Sequence, residues 1–135
     1  MNLEVIRKFL SEIPIKVNSV VLFGSSARGD DLPWSDIDLL LISDEFSGMR
    51  REDRIRFLLD KWDYPRPLEP ICLSPDEISE ENPLIWEICL DGIPIVDDGT
   101  FEKLRERCID LLSKRGVERK WYGYVKISRD ERSQS

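Results

Sequence analysis

Apolar positions at the start of the chain recur at helical spacing: Leu3, Ile6, Phe9, Leu10 and Ile13 share a face, and Pro14 closes the pattern. Asn2 stands before it as an N-cap candidate. The period then changes. Residues 19–23 read SVVLF, a β-branched apolar run that predicts a buried strand. Small residues from Gly24 to Gly29 interrupt it, and the polar stretch Asp30 to Ser35, with Pro33, reads as a loop. Residues 36–42, DIDLLLI, predict a second buried strand that opens on carboxylates. Ser43 to Met49 reads as a loop, and residues 51–62 predict a helix with Ile55, Leu58, Leu59 and Trp62 on one face.

LEPICL at 68–73 predicts a third strand, and Pro70 confines it to a sheet edge or a bulge. Ser74-Pro75-Asp76-Glu77 has the form of a capping box, and Asn82-Pro83 is a second helix start, with Gly92 as the C-cap. A short strand over Ile93 to Val96 precedes a helix capped by Thr100, which carries Phe101, Leu104, Cys108, Leu111 and Leu112 and stops at Gly116. Four strands alternating with helices place the chain in the α/β (α+β) class. The reading is one domain over 1–116 and a basic, aromatic tail over 117–135, whose polar end from Ser128 predicts disorder.

Composition narrows the chemistry. The 135 residues suffice for one packed core, since 41% are hydrophobic. A net charge of −7 disfavours a large nucleic-acid footprint, which needs a cationic face. It leaves room for a small anionic ligand held by backbone amides and metal. Histidine is absent, which removes Ser-His-Asp and Cys-His catalysis. Three cysteines, Cys72, Cys89 and Cys108, lie in apolar stretches without CxxC spacing and predict buried thiols in a reducing, cytoplasmic compartment. The longest apolar run falls far short of a membrane span.

The informative stretch is GSSARGDDLPWSDID, from Gly24 to Asp38, set between two apolar strands. A Gly-Ser turn at a strand exit exposes backbone amides, and a short helix beginning near Ala27-Arg28 adds its positive end, so Gly24 and Ser25 form a candidate phosphate cradle. Arg28 can reach phosphate or pair with a nearby carboxylate. Asp36 and Asp38, two apart on a strand, face the same way. Paired carboxylates suit Mg²⁺ or Mn²⁺, and such metals serve in-line phosphoryl transfer without histidine.

GS, ten residues, then DxD between hydrophobic strands resembles the polymerase-β-like nucleotidyltransferase superfamily. ARG and DIDLLLI resemble its minimal (MNT) branch. The resemblance covers roughly Val17 to Leu112. It implies a mixed, twisted sheet flanked by helices, and metal-dependent transfer of a nucleoside monophosphate, AMP from ATP, to a hydroxyl. It also implies a third metal-binding acid on the next strand, which matches Glu69 where most relatives carry aspartate. Asp60 and Asp63 are the alternative acids, on or just after a helix. Asp36, Asp38 and Glu69 are thus the implied catalytic and metal residues, with Gly24, Ser25 and Arg28 on the nucleotide. The resemblance further implies a small helical HEPN-type partner, the toxin of a toxin–antitoxin pair. Two other functions stay open: an antitoxin that neutralises its partner by contact alone, which the Glu69 exchange favours, and an enzyme acting on a small hydroxylated molecule such as an aminoglycoside. Trp34 before the DxD could stack on a nucleobase or pack at the rim, and the basic, aromatic stretch around Trp121 could hold RNA or a partner or form a last strand.

Overall fold

The computed structural model describes residues 3–127. The Asn2 cap and the polar end from Ser128 lie outside the described residues. The chain runs α1 (Leu3–Glu12), β1 (Ser19–Phe23), α2 (Ser25–Arg28), β2 (Ile37–Ile42), α3 (Arg51–Leu59), β3 (Leu68–Leu73), α4 (Pro83–Asp91), β4 (Ile93–Asp97), α5 (Thr100–Arg115), β5 (Val117–Lys120) and β6 (Gly123–Lys126). Single 3₁₀ turns stand at Asp44–Phe46 and Pro75–Glu77.

Four strands form a mixed sheet in the order β3-β2-β1-β4, with β1 antiparallel to both neighbours and β2 parallel to β3. Pro70 therefore sits on an edge, where a missing N–H costs no ladder bond. Period-2 alternation splits the central strands between two cores. Val20, Leu22, Leu39 and Leu41 face α1 and α3, packing with Ile6, Phe9, Phe46 and Leu58. Val21, Phe23, Leu40 and Ile42 face α4 and α5, packing with Ile85, Ile88, Phe101 and Leu104. Both sheet faces are covered, which is why β1 and β2 read as continuous apolar runs. All three cysteines are free and buried. No helix among the described residues is long and apolar enough to cross a membrane.

Two local expectations change, at α3 and at the start of α5. The helix expected over 51–62 ends at Leu59, and its buried positions are Arg54 and Leu58, while Ile55 and Leu59 are exposed. The reason is the Arg54 guanidinium, 3% exposed, which donates to the carbonyls of Met49 and Cys72 and to Glu77 at 2.7 and 3.1 Å. The Arg54 bonds to Glu77, with those from Ser74, pull the Glu77 carboxyl down to about 2. Trp62 lies past the helix and packs edge-on against Phe9. Gly92 caps α4 as expected, in an extended conformation, and glycine is needed because a Cβ would lie 2.3 Å from the Ile88 carbonyl oxygen and 2.6 Å from Val21 Cγ1. Helix α5 is capped by the carboxylates of Asp97 and Asp98, which accept from the amides of Gly99 to Glu102, rather than by Thr100. The Asn82 cap and the left-handed Gly116 stop form as expected.

The basic, aromatic stretch is a hairpin of β5 and β6 folded against α4. Tyr124 packs edge-on against Trp86 with ring centroids 5.1 Å apart, and its hydroxyl donates to Glu87. Arg119 forms a fork with Asp91 at 2.7 and 3.0 Å. Trp121 and Tyr122 stand exposed at the tip.

Candidate active site

The site is built where β1 and β2 hand over to the loop between them. Phe23, the last residue of β1, pairs with Asp38, and Asp38 pairs in turn with Glu69 on β3. Asp38 shares the strand face of Leu40 and Ile42, and Glu69 shares that of Ile71 and Leu73, all of which pack toward α4 and α5. The apolar face thus continues past its core into two carboxylates. Asp36 lies one residue outside β2, which starts at Ile37 rather than at Asp36, and is exposed.

Gly24 brings the turn onto this row. Its φ of 71° and ψ of −153° belong to a region that only glycine occupies comfortably. A Cβ there would sit 2.2 Å from Asp38 Oδ2, so the Gly24 backbone rests directly against the carboxylate. Helix α2 then starts at Ser25, with the Ala27 and Arg28 amides donating back to the Gly24 carbonyl, and left-handed Gly29 closes it. Ser25 therefore stands in the first turn, next in sequence to the Gly24 that rests against Asp38.

The electrostatics follow from this crowding. Burial, then the neighbouring charges of Asp36 and Glu69, raise the Asp38 carboxyl above its ordinary value, and Arg28 opposes the rise. The other three charged candidates thus all act on Asp38. Among the described residues, none of the three carboxylates has a hydrogen bond or ion pair, although Asp38 is half-buried. The described residues hold no group of three ligating side chains drawn around one point. The carboxylates form a row, with hard oxygen donors of the kind a divalent cation takes. Asp60 caps the end of α3 and Asp63 lies beyond it, whereas Glu69 holds the register position opposite Asp38.

Arg28 pairs with Asp30 at 3.3 Å and comes within 4.0 Å of Glu87. Trp34 is 72% exposed at the rim. Two supports were not legible in the sequence. Glu87 links Arg28 to Arg119 and Tyr124 of the hairpin. Arg66 pairs with Asp31 inside the loop, which lowers the Asp31 carboxyl. The one local clue to Arg66 is its place between Pro65 and Pro67.

Comparison with known proteins bears on the fold and the family. A model of the nucleotidyltransferase domain matches residues 3–128. A Methanocaldococcus jannaschii protein assigned as a protein adenylyltransferase is 39% identical over 87 residues, covering 59% of this chain and 58% of the relative. The match thus spans little more than half of that relative's length. A crystal structure of a toxin–antitoxin with AMP-PNP superposes with a TM-score of 0.64 at 18% identity, covering 86% of this chain and 90% of the other. A mutant of the toxin–antitoxin MntA-HpeT gives 0.63 at 17% identity, again covering 86% and 90%. These likenesses establish the fold, and the match over nearly the whole chain establishes the family: this protein belongs to the nucleotidyltransferase domain family.

Proposed function

We propose that this chain is a divalent-metal-dependent adenylyltransferase that moves AMP from ATP to a hydroxyl on a small helical HEPN-type toxin, and so acts as its antitoxin. The observation that carries the reading is the close approach of Gly24 to Asp38, with Glu69 in register beside them. It sets the Gly-Ser turn directly against a row of carboxylates that have no hydrogen-bond or ion-pair partner among the described residues.

The donor set fits Mg²⁺ or Mn²⁺. Asp38 is half-buried, repelled by Asp36 and Glu69, and without a protein hydrogen bond among the described residues, an arrangement that a cation relieves. Asp36, Asp38 and Glu69 would hold such a cation, which would supply charge neutralisation at the triphosphate. The chain's own residues do the rest. The first-turn amides of α2 and the Ser25 hydroxyl donate to phosphate oxygens. Arg28 exchanges Asp30 for phosphate, because its pair is exposed and only 3.3 Å close. Glu69, exposed on the edge strand, takes the proton of the acceptor hydroxyl as its oxygen bonds to the α-phosphorus. The α–β bridging oxygen leaves with the bond pair as part of pyrophosphate.

Two facts support the acceptor. The relative from M. jannaschii is assigned as acting on protein, and two fold neighbours are toxin–antitoxins, one with AMP-PNP. The test is transfer of label from α-labelled ATP to a small helical HEPN-type protein that co-purifies with this chain. Label on that protein from α-labelled but not γ-labelled ATP, lost in Asp38→Asn, is the expected result. Neutralisation that survives Asp36→Ala with Asp38→Ala, without any label, would instead make the chain a contact-only antitoxin.

A further inference from the structure

The two halves of the site are joined by one side chain outside both. The Arg66 guanidinium, 11% exposed, has partners on two other segments. Nε–H donates to the Ser35 carbonyl at 2.8 Å, and Nη2–H donates to the buried Ser26 hydroxyl at 3.1 Å. Nη1 lies 2.9 Å from Asp31 Oδ2. Ser26 follows Ser25 in α2, and Ser35 precedes Asp36. Arg66 itself stands three residues before Glu69.

Its own backbone is fixed as well. The Arg66 carbonyl accepts from the Trp62 indole N–H at 2.8 Å, and the neighbouring Pro67 carbonyl accepts from the Ile37 amide at 2.8 Å. Prolines on both sides restrict the chain further. A planar fork of donors on an anchored backbone holds three directions at once, which a lysine ammonium on a flexible stem does not.

We propose that Arg66 is a positioning residue that sets the separation between the Gly24–Ser25 turn and the Asp36–Asp38 carboxylates, and with it the affinity for a metal-bound nucleoside triphosphate. The structural half of this stands on the hydrogen bonds alone; the consequence for affinity rests on the nucleotide reading above. The side chain touches neither phosphate nor acceptor. It acts through Ser26 and Ser35.

The test uses the full chain with Arg66→Lys, Arg66→Ala and Ser26→Ala. Amide hydrogen exchange without ligand is compared with binding of Mg–ATP. In Arg66→Lys, amides of 24–29 and 35–38 exchange at least about tenfold faster together, while α4 and α5 keep their protection. Ser26→Ala loosens 24–29 alone, which keeps the test sharp even where Arg66→Ala does not fold. The Kd for Mg–ATP rises about tenfold or more in Arg66→Lys, in protein whose melting temperature stays close to wild type; a merely structural role lowers the melting temperature and leaves the affinity of folded protein unchanged. Exchange within about twofold of wild type in either segment overturns the proposal, and so does loosening spread evenly over the whole chain. Should wild type bind no Mg–ATP, the nucleotide reading and the affinity clause fall together, and the exchange result still decides whether Arg66 ties the two segments.

Discussion

Replacing Gly24 with alanine probes the site through a single carbon. Two costs follow from the geometry. The backbone, at φ 71° and ψ −153°, lies where an L-residue is strained by about 1–3 kcal/mol. The new Cβ also begins 2.2 Å from Asp38 Oδ2, so the carboxylate must retreat by about 1 Å to reach ordinary contact, with a side-chain distortion of about 1 kcal/mol. Together these predict a loss of about 2–4 kcal/mol, a fall in melting temperature of roughly 6–15 °C for a domain of this size. A carboxylate misplaced by about 1 Å predicts roughly a hundredfold loss of transfer rate. Thermal unfolding separates the two costs in a double-mutant cycle with Asp38→Ala, which keeps only a Cβ, and the Asp38 Cβ lies at an ordinary 3.4 Å. In that background Gly24→Ala should cost only the backbone part. Gly29→Ala is the matching control, since φ is 80° and a Cβ would meet nothing within 4 Å. A Gly24→Ala protein that melts with wild type and binds Mg–ATP equally, or a cost that Asp38→Ala leaves untouched, would refute the reasoning.

Glu77→Gln leaves the buried Arg54 guanidinium without its counter-charge and should cost about 2–3 kcal/mol at neutral pH, below the figure for a fully buried pair because Glu77 is one-third exposed. Glu77 titrates near 2 in the folded protein against 4.5 unperturbed, so its contribution is complete above pH 4.5 and disappears as pH falls toward 2. Urea unfolding at several pH values should show wild type and variant converging over that window. Gly92→Ala has an allowed backbone but clashes with the Ile88 carbonyl and Val21, and should lower stability by about 1–3 kcal/mol in the same assay, through packing alone.

Much of this was legible in order of locality. The strands at 19–23 and 68–73 and the capping box at Ser74 appear where pattern and cap chemistry placed them, because those signals lie within a few residues of one another. Pro70 even located the sheet edge. Helix α3 was misjudged because Arg54 is buried by partners 18 and 23 positions away, and no periodicity encodes such partners. Thr100 looked like the cap by residue type, yet Asp97 and Asp98 reach the same amides from the end of β4. Gly24 and Asp38 were readable because a short connection between paired strands converts sequence spacing into adjacency, whereas Glu69, across a parallel crossover, was named only through the family resemblance. Arg66 and Glu87 were not, since their roles depend on how loops and helices converge across 40 and 59 positions.

The central claim is that Gly24, Ser25 and the carboxylate row form a metal–nucleotide site. Thermal unfolding of wild type and Asp38→Asn, each with and without Mg²⁺ and ATP, tests it most directly. Because the Asp38 carboxyl is raised, its ionised form costs stability above the ordinary carboxylate value, and the cost vanishes in acid. Asp38→Asn should therefore melt above wild type at neutral pH without ligand, with the gap closing on acidification. With ligand at about a hundred times its Kd, wild type should gain about 2.7 kcal/mol, several degrees, and the variant should gain little. Equal shifts in both proteins, or no shift in wild type at saturating Mg²⁺ and ATP, would contradict the account.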